Sequence, residues 1–186
     1  MDRRSLVALT ALATVALAAP AQAQFDQEEK AGLGVKVGVY MPTDSLIRDA
    51  FGKSIINYGL GGVAPRRPTA GTLTPELDFI SADKNGNRLF IGSFSYGYEH
   101  HFVNDDQART VPYARVFGGV AYFDYGINTL NGRRSSKRVG ANYGAEVGIV
   151  LSGRIRLAAR YNAFTEQEGF NFNGFNLSAT VNLIRL

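Results

Sequence analysis

The residue types most often used in catalysis fall in one short segment, where Ser95, Glu99 and His101 occupy positions i, i+4 and i+6. A serine, an acid and a histidine could supply a nucleophile and its general base. The segment alternates apolar and polar residues, which predicts a β-strand. On a strand rising about 3.3 Å per residue, Ser95 and His101 would lie about 20 Å apart. We therefore expect no catalytic residues, and an enzyme that acts on lipids remains only a minor alternative.

The residue types that bind metals are equally sparse. The chain has two histidines, His100 and His101, and no cysteine. Adjacent strand residues point to opposite faces, so the two imidazoles cannot easily share one ion. Disulfide bridges, which usually stabilise small exported domains, are excluded as well. We predict no metal site and no cofactor.

Apolar and polar residues alternate strictly over most of the chain. In residues 139–149 the odd positions are apolar or aromatic, whereas the even ones are three glycines, Asn142 and Glu146. Similar runs predict eight β-strands, at about 30–41, 54–64, 72–83, 88–102, 111–126, 139–151, 154–166 and 172–186. Turn signals separate them, including KNGN at 84–87, VNDDQART at 103–110 and NGRRSSKR at 131–138. The prediction is an all-β, antiparallel, up-and-down barrel.

Two eight-stranded barrels fit this alternation. A soluble, lipocalin-type barrel has its apolar face inside, whereas an outer-membrane barrel has it outside. The polar face here is rich in glycine and serine, which suits the narrow interior of eight converging strands. The apolar face carries many tyrosine and phenylalanine residues, which suits a lipid-facing belt. We therefore predict a transmembrane barrel with a polar interior filled by side chains.

This orientation would place four basic and four acidic side chains inside the barrel. Buried charges are tolerated when they are paired and hydrogen-bonded, so we predict a neutral structural network. Glu99 with Arg115 and Glu146 with Arg156 are the nearest cross-strand candidates. The eight residues are Lys36, Glu76, Asp78, Glu99, Arg115, Glu146, Arg156 and Arg160. Tyr113, Phe117 and Phe123 would share the same interior.

The first residues have the form of a secretory signal peptide. Arg3 and Arg4 precede an apolar stretch, and Ala21 and Ala23 precede Gln24. The apolar stretch is shorter than the roughly 20 residues of a membrane-spanning helix. We predict a cleaved signal peptide at 1–23, one barrel domain at 24–186 and localisation in the outer membrane. The formal net charge of +4 falls to +3 without the signal peptide, which carries Asp2, Arg3 and Arg4; this mild basicity is compatible with anionic lipid, and nothing indicates nucleic acid.

A basic run lies between the predicted fifth and sixth strands. In an outer loop, Arg133, Arg134, Lys137 and Arg138 could contact lipopolysaccharide phosphates through charge-assisted hydrogen bonds; a merely solvated loop is the alternative. The segment PTDSLIRDAFG at 42–52 is the one predicted helix, of two turns at most. Asp44 or Ser45 would cap it and Gly52 would end it. Whether it covers the barrel mouth or lies at the surface stays open.

Two segments resemble a known family. VPYARVFGGVAYFDYG at 111–126 and YMPTDSLIRDAFG at 40–52 resemble strands and a first loop of small porin-superfamily barrels of the outer membrane protein A and outer membrane protein W type. The chain departs from that pattern at Arg115 and Phe117, where such strands usually have glycine, which implies a more filled interior. It also ends at Leu186 rather than at an aromatic residue. Recognition by the assembly machinery would then depend on the last strand's Phe175, Val181 and Leu183.

Three functions remain open. The leading one is a structural or surface-display role for a monomeric outer-membrane barrel that is not a general porin. The resemblance to outer membrane protein W implies a second, the uptake of small hydrophobic compounds through a narrow barrel. The third is the lipid-modifying enzyme. The expected partners are outer-membrane lipids, lipopolysaccharide and, during biogenesis, periplasmic chaperones and the barrel assembly machinery.

Overall fold

A single closed antiparallel barrel accounts for nearly all of the chain that the computed structural model describes, which comprises residues 32–63, 72–103, 108–129, 132–152 and 154–185. Each strand pairs with its neighbours in sequence, and the eighth pairs with the first. The strands are β1 Gly32–Pro42, β2 Ile55–Val63, β3 Thr72–Lys84, β4 Asn87–His101, β5 Thr110–Thr129, β6 Gly132–Leu151, β7 Ile155–Phe164 and β8 Gly174–Arg185. The predicted fold class is confirmed. The predicted signal peptide and its cleavage site lie outside the described residues.

The two faces of the barrel are arranged as the alternation predicts. Large apolar side chains point outward, and Val37, Tyr143 and Phe175 are each more than half exposed. The alternate, polar side chains of each strand point inward, where Lys36, Glu99 and their neighbours are buried. The apolar-in arrangement of a soluble ligand-binding barrel is therefore wrong for this chain.

One short helix, α1 (Ser45–Phe51), connects β1 to β2. The Asp44 carboxylate caps it by accepting hydrogen bonds from the backbone N–H groups of Leu46 at 2.8 Å and Ile47 at 3.2 Å. Gly52 ends it with a φ of 106°, a conformation that favours glycine. The predicted caps and length are confirmed. Ile47 and Phe51 are buried in the apolar cluster at this end, so the helix covers the barrel mouth.

The β5–β6 hairpin is longer than predicted. The sequence predicts a loop at 131–138, but β6 already begins at Gly132, and its pairing with β5 continues to Thr129 opposite Gly132. The extension is held by the continuous backbone ladder and by the β7–β8 loop, where Glu168 accepts hydrogen bonds from Arg138 at 2.6 Å and Ser136 at 3.2 Å. The prediction that the basic run lies in a loop is wrong.

Four connections lie at the same end of the barrel, which we call the capped end: α1, the β3–β4 turn, the tip of the β5–β6 hairpin and the β7–β8 loop. The β3–β4 turn is the tight KNGN turn that was predicted, with positive φ at Asn85 (53°) and Gly86 (76°). β1 starts and β8 ends at the opposite end, the terminal end. In the described part of the chain, no helix has the length and apolar character needed to cross a membrane.

Candidate functional site: an ionic network beneath an apolar cap

The structure places all eight predicted interior charges inside the barrel, each at most 7 % exposed. They come from six strands. The inward faces of these strands are otherwise rich in small residues, so there is room for long side chains to meet at the barrel axis. Four are cations and four are carboxylates, so the set is formally neutral.

Glu76 is the centre of one half of this network. Its carboxylate pairs with Lys36, with Arg115 and, at 3.0 Å, with the Arg160 guanidinium. Asp78, two residues further along β3, pairs with Lys36 and with Arg160 at 2.7 Å. Two acids of one strand therefore hold three cations from three other strands, which ties opposite walls of the barrel together.

Arg156 is the centre of the other half. Its guanidinium contacts Glu99 at 2.6 Å and Glu146 at 2.8 Å. The Tyr113 hydroxyl donates to Glu146 at 2.7 Å, and His101 Nε2 lies 2.6 Å from Glu99. This half lies toward the terminal end because Glu99 pairs in register with Thr72, where β3 begins. The halves meet where Arg115 lies 3.8 Å from Glu146.

One of the two predicted cross-strand contacts is present and the other is not. Arg156 contacts Glu146 as expected. Arg115 lies opposite Glu99 in register, but its guanidinium extends toward β3, where it meets Glu76 and donates to the Thr74 carbonyl at 3.1 Å. Gly97 makes this path possible, because a Cβ there would lie only 1.9 Å from Arg115 Nε. The predicted Glu99–Arg115 contact is wrong for that reason.

The network leaves little room for water. The Arg160 guanidinium lies 3.6 Å from the ring centroid of Phe117. This cation–π contact shields one side of the guanidinium from water, in addition to the carboxylates that pair with it. A cavity lined by Lys36, Glu76, Glu146 and Arg156 has a volume of about 10 Å³. That is close to the least volume that one water molecule requires. At this level the barrel is packed.

An apolar cluster closes the capped end, and we call it the cap. It combines inward residues of the strand ends with α1 and the β7–β8 loop, among them Tyr40, Ile47, Phe51, Leu89, Ile91, Phe123, Tyr125, Ile127, Phe164, Phe170 and Phe172. Phe172 lies at its centre, with ring centroids 5.5 Å from Phe123 and 5.3 Å from Tyr125. Its carbonyl accepts a hydrogen bond from the Tyr40 hydroxyl. The cap was not predicted, although Phe123, Tyr125 and Ile127 at alternate positions were a signal for it.

The four basic residues of the hairpin are divided between its two faces. Val139 is outward and 70 % exposed, so strand alternation puts Arg133 and Lys137 on the outward face. Arg134 and Arg138 take the opposite face, where Arg138 pairs with Glu168 at 2.6 Å.

On the outward face, Arg88 of β4 joins the basic residues. Asp124 pairs with Arg88 at 2.9 Å and with Lys137 at 3.6 Å. Arg88 was not predicted as part of this group, because only the register brings it to Asp124 of β5, the strand that lies between Arg88 and β6.

The residues considered for catalysis do not form a hydrogen-bonded triad. His101 contacts Glu99, but Ser95 Oγ has no hydrogen-bond partner among the described residues. His101 is buried while His100 is exposed, as alternation predicts for neighbours on a strand. Within the described ranges, no three metal-ligating side chains form a group that could hold an ion.

Comparisons with known proteins identify the fold. No family model and no curated protein matches the sequence. Among solved structures, the N-terminal β-barrel domain of Pseudomonas aeruginosa OprF is 12% identical with a TM-score of 0.55, covering 83% of this chain and 98% of its own. Neisserial surface protein A (NspA) is 13% identical with a TM-score of 0.54, covering 82% of this chain and 97% of its own. The chain therefore has the fold of small eight-stranded outer-membrane β-barrels.

Proposed function

We propose that this protein is an integral outer-membrane barrel with a structural and surface-display role, exported with a cleaved signal peptide at 1–23. The observation that carries the proposal is the inverted arrangement of the barrel, which is apolar outside and ionic inside. Side chains such as Val37, Tyr143 and Leu183 are 55–66% exposed, and in water such a continuous apolar surface would promote aggregation. In a bilayer the same surface is matched by the lipid tails.

The interior supports a closed barrel rather than a transport pathway. Uptake of a small apolar compound needs a continuous apolar path, but below the cap the axis is occupied by eight paired charges. Opening a path would separate the paired charges. Because little water could reach them, the separated charges would be poorly solvated, and the free-energy cost would be high. Ser95 lacks a hydrogen-bonded base among the described residues, so an enzymatic role has no support either.

Membrane fractionation tests the location, with gel electrophoresis before and after boiling as a test of the folded barrel. We expect the protein in the outer-membrane fraction, with a mobility shift on boiling, and a mature N-terminus at Gln24 by mass spectrometry. A soluble product without a mobility shift would overturn the proposal.

A second part of the proposal concerns lipopolysaccharide. Arg88, Lys137 and Arg133 lie on the outward face just beyond the apolar residues Phe90, Tyr122 and Val139, at the level where lipid phosphates would meet the barrel. A single carboxylate, that of Asp124, pairs with two of these cations. The face therefore keeps an excess of positive charge, which suits phosphate binding.

The two faces of the hairpin provide a matched test. Changing Arg133 and Lys137 to Gln should weaken lipopolysaccharide binding and reduce its salt dependence, because exposed charge attraction is screened over about 8–10 Å. Changing Arg134 on the opposite face and Arg154 at the terminal end to Gln removes the same charge, leaves the Arg138–Glu168 pair that holds the hairpin intact, and should have a much smaller effect. If both double variants weakened lipopolysaccharide binding equally, the binding would depend on the protein's total charge and not on the outward face of the hairpin.

A further inference from the structure

A cleft of about 890 Å³ opens at the capped end, between α1 and the adjacent ends of β1 and β3. This volume is within the usual range of about 300–1,000 Å³ for small-molecule sites. Met41 and Pro42 form an apolar wall. The polar lining consists of Ser45, Arg48, Asp49, Lys53, Ser54 and Lys84.

The cleft brings together three cations that are well separated in sequence. Arg48 is on α1, Lys53 lies in the α1–β2 turn and Lys84 ends β3. In the part of the chain that the structure describes, none of them has an ion-pair partner within 4.0 Å, whereas Arg88, Lys137 and Arg138 at the same end of the barrel do. Asp49 is the one acid in the lining. Cations gathered in this way repel one another, and a bound anion would relieve that repulsion.

Local geometry holds the walls of the cleft in place. Gly52 has φ 106° and ψ 167°, a region that is essentially restricted to glycine. An ideal Cβ on Gly52 would lie 4.0 Å from Lys84 Nζ, so the lysine reaches across to the turn after the helix. The Asn87 side chain, at the start of β4, donates to the Ala50 carbonyl of α1 at 3.2 Å. The helix and the β3–β4 turn are therefore tied together beside the three cations.

We infer that this cleft binds a saccharide that carries phosphate or sulfate groups. The three cations supply charge-assisted hydrogen bonds to the anionic groups. The hydroxyls of Ser45 and Ser54 can both donate to and accept from sugar hydroxyls, and the apolar wall can pack against a sugar ring. This site is separate from the lipid-facing surface of the β5–β6 hairpin, so its ligand needs no lipid anchor.

The test uses the full barrel in a non-ionic detergent, with sucrose octasulfate as the probe and unsulfated sucrose as the control. Calorimetry should detect binding of the sulfated sugar only. Lys53→Gln with Lys84→Gln should weaken it at least tenfold. Arg109→Gln with Arg154→Gln removes the same charge at the terminal end and should change the affinity less than twofold. Asp49→Asn should strengthen binding several-fold, because it removes the single acid of the cleft.

The opposite results are equally specific. Absence of binding to the sulfated sugar, equal weakening by the two double variants, or no gain with Asp49→Asn would overturn the inference. The mobility shift on boiling shows that each variant is folded. A lipid-free, phosphorylated core oligosaccharide used as a competitor separates two sources of the ligand. Displacement indicates the cell's own surface saccharide, whereas a site that holds only the sulfated sugar indicates an external one.

Discussion

The cap and the ionic network fill two levels of the same barrel by opposite means. In the cap, Phe172 packs among aromatic rings 5.3–6.4 Å away, and such packing has little directional demand. In the network, Glu76 contacts three cations and Arg156 contacts two carboxylates. Each of these contacts depends on a specific partner. The cap should therefore tolerate changes of side-chain shape that conserve volume, whereas the network should not tolerate a change of charge.

The difference also shows how eight strands can close a cylinder. Near the loops, α1 and the β7–β8 loop contribute apolar side chains that complete a core. In the middle and toward the terminal end, the described interior is filled from the strands themselves, by long charged side chains that cross the axis from wall to wall. Formal neutrality then decides whether that level is stable.

The largest expected effect is that of Glu76→Ala. The change removes the partner of Lys36, Arg115 and Arg160 together, and leaving buried charges uncompensated should lower the free energy of unfolding by about 3–5 kcal/mol. Urea unfolding of the refolded barrel measures it. Glu166→Ala, at an exposed position, is the control and should change stability by less than about 0.5 kcal/mol. A loss below about 1 kcal/mol for Glu76→Ala would contradict the account.

Phe172→Ala should produce the largest loss in the cap. Phe172 is fully buried, and truncation of a buried phenylalanine costs about 3 kcal/mol or more, depending on how far its neighbours collapse. The same unfolding measurement applies. Phe175→Ala removes an equal side chain from the exposed outer face of β8 and should cost much less in detergent. Similar losses for both variants would show that the cap is not packed.

The energetic coupling between pairs of substitutions distinguishes contacts within the ionic network from residues that do not touch. Glu146→Ala with Arg156→Ala should cost less than the sum of the single changes, by about 1–3 kcal/mol, because the two residues are partners at 2.8 Å. Glu99→Ala with Phe170→Ala joins residues from opposite ends of the barrel and should be additive to within about 0.5 kcal/mol. Additivity in both pairs would mean that the charges act independently.

The smallest expected effect is that of Ile47→Leu, which conserves volume in the cap. Swaps of this kind usually cost less than about 1.5 kcal/mol because neighbouring side chains can repack. Glu76→Gln is the corresponding near-isosteric change in the network and should cost more, since it removes the negative charge that holds three cations. The reverse order of these two losses would remove the distinction between the cap and the network.

The barrel could be predicted from the sequence because side chains alternate with a period of two. That period assigns Lys36 and Arg160 to the interior and Val37 and Tyr161 to the outside, without any knowledge of the register. The helix could be predicted as well, since Asp44 and Gly52 act on their immediate neighbours.

The partners of the buried charges could not be predicted in the same way. Arg115 contacts Glu76 instead of Glu99 because Gly97 lets its side chain pass, and this depends on the register and on side-chain reach. The length of β6 was missed for a similar reason. A serine- and arginine-rich segment resembles a loop until Glu168, from a distant part of the chain, binds Arg138. The cation cleft required α1 and Lys84 to be brought together by the fold.

Planar-bilayer recording of the refolded wild-type protein tests the central claim most directly, that the interior is a packed structural core. With eight paired charges and a cavity of about 10 Å³ among them, we expect no stable ion conductance under an applied voltage. Preparations shown to be folded by their mobility shift should remain silent at both polarities. Stable, large single-channel steps from the wild-type barrel would contradict the account, because they would require a continuous water-filled path through the ionic network and the cap.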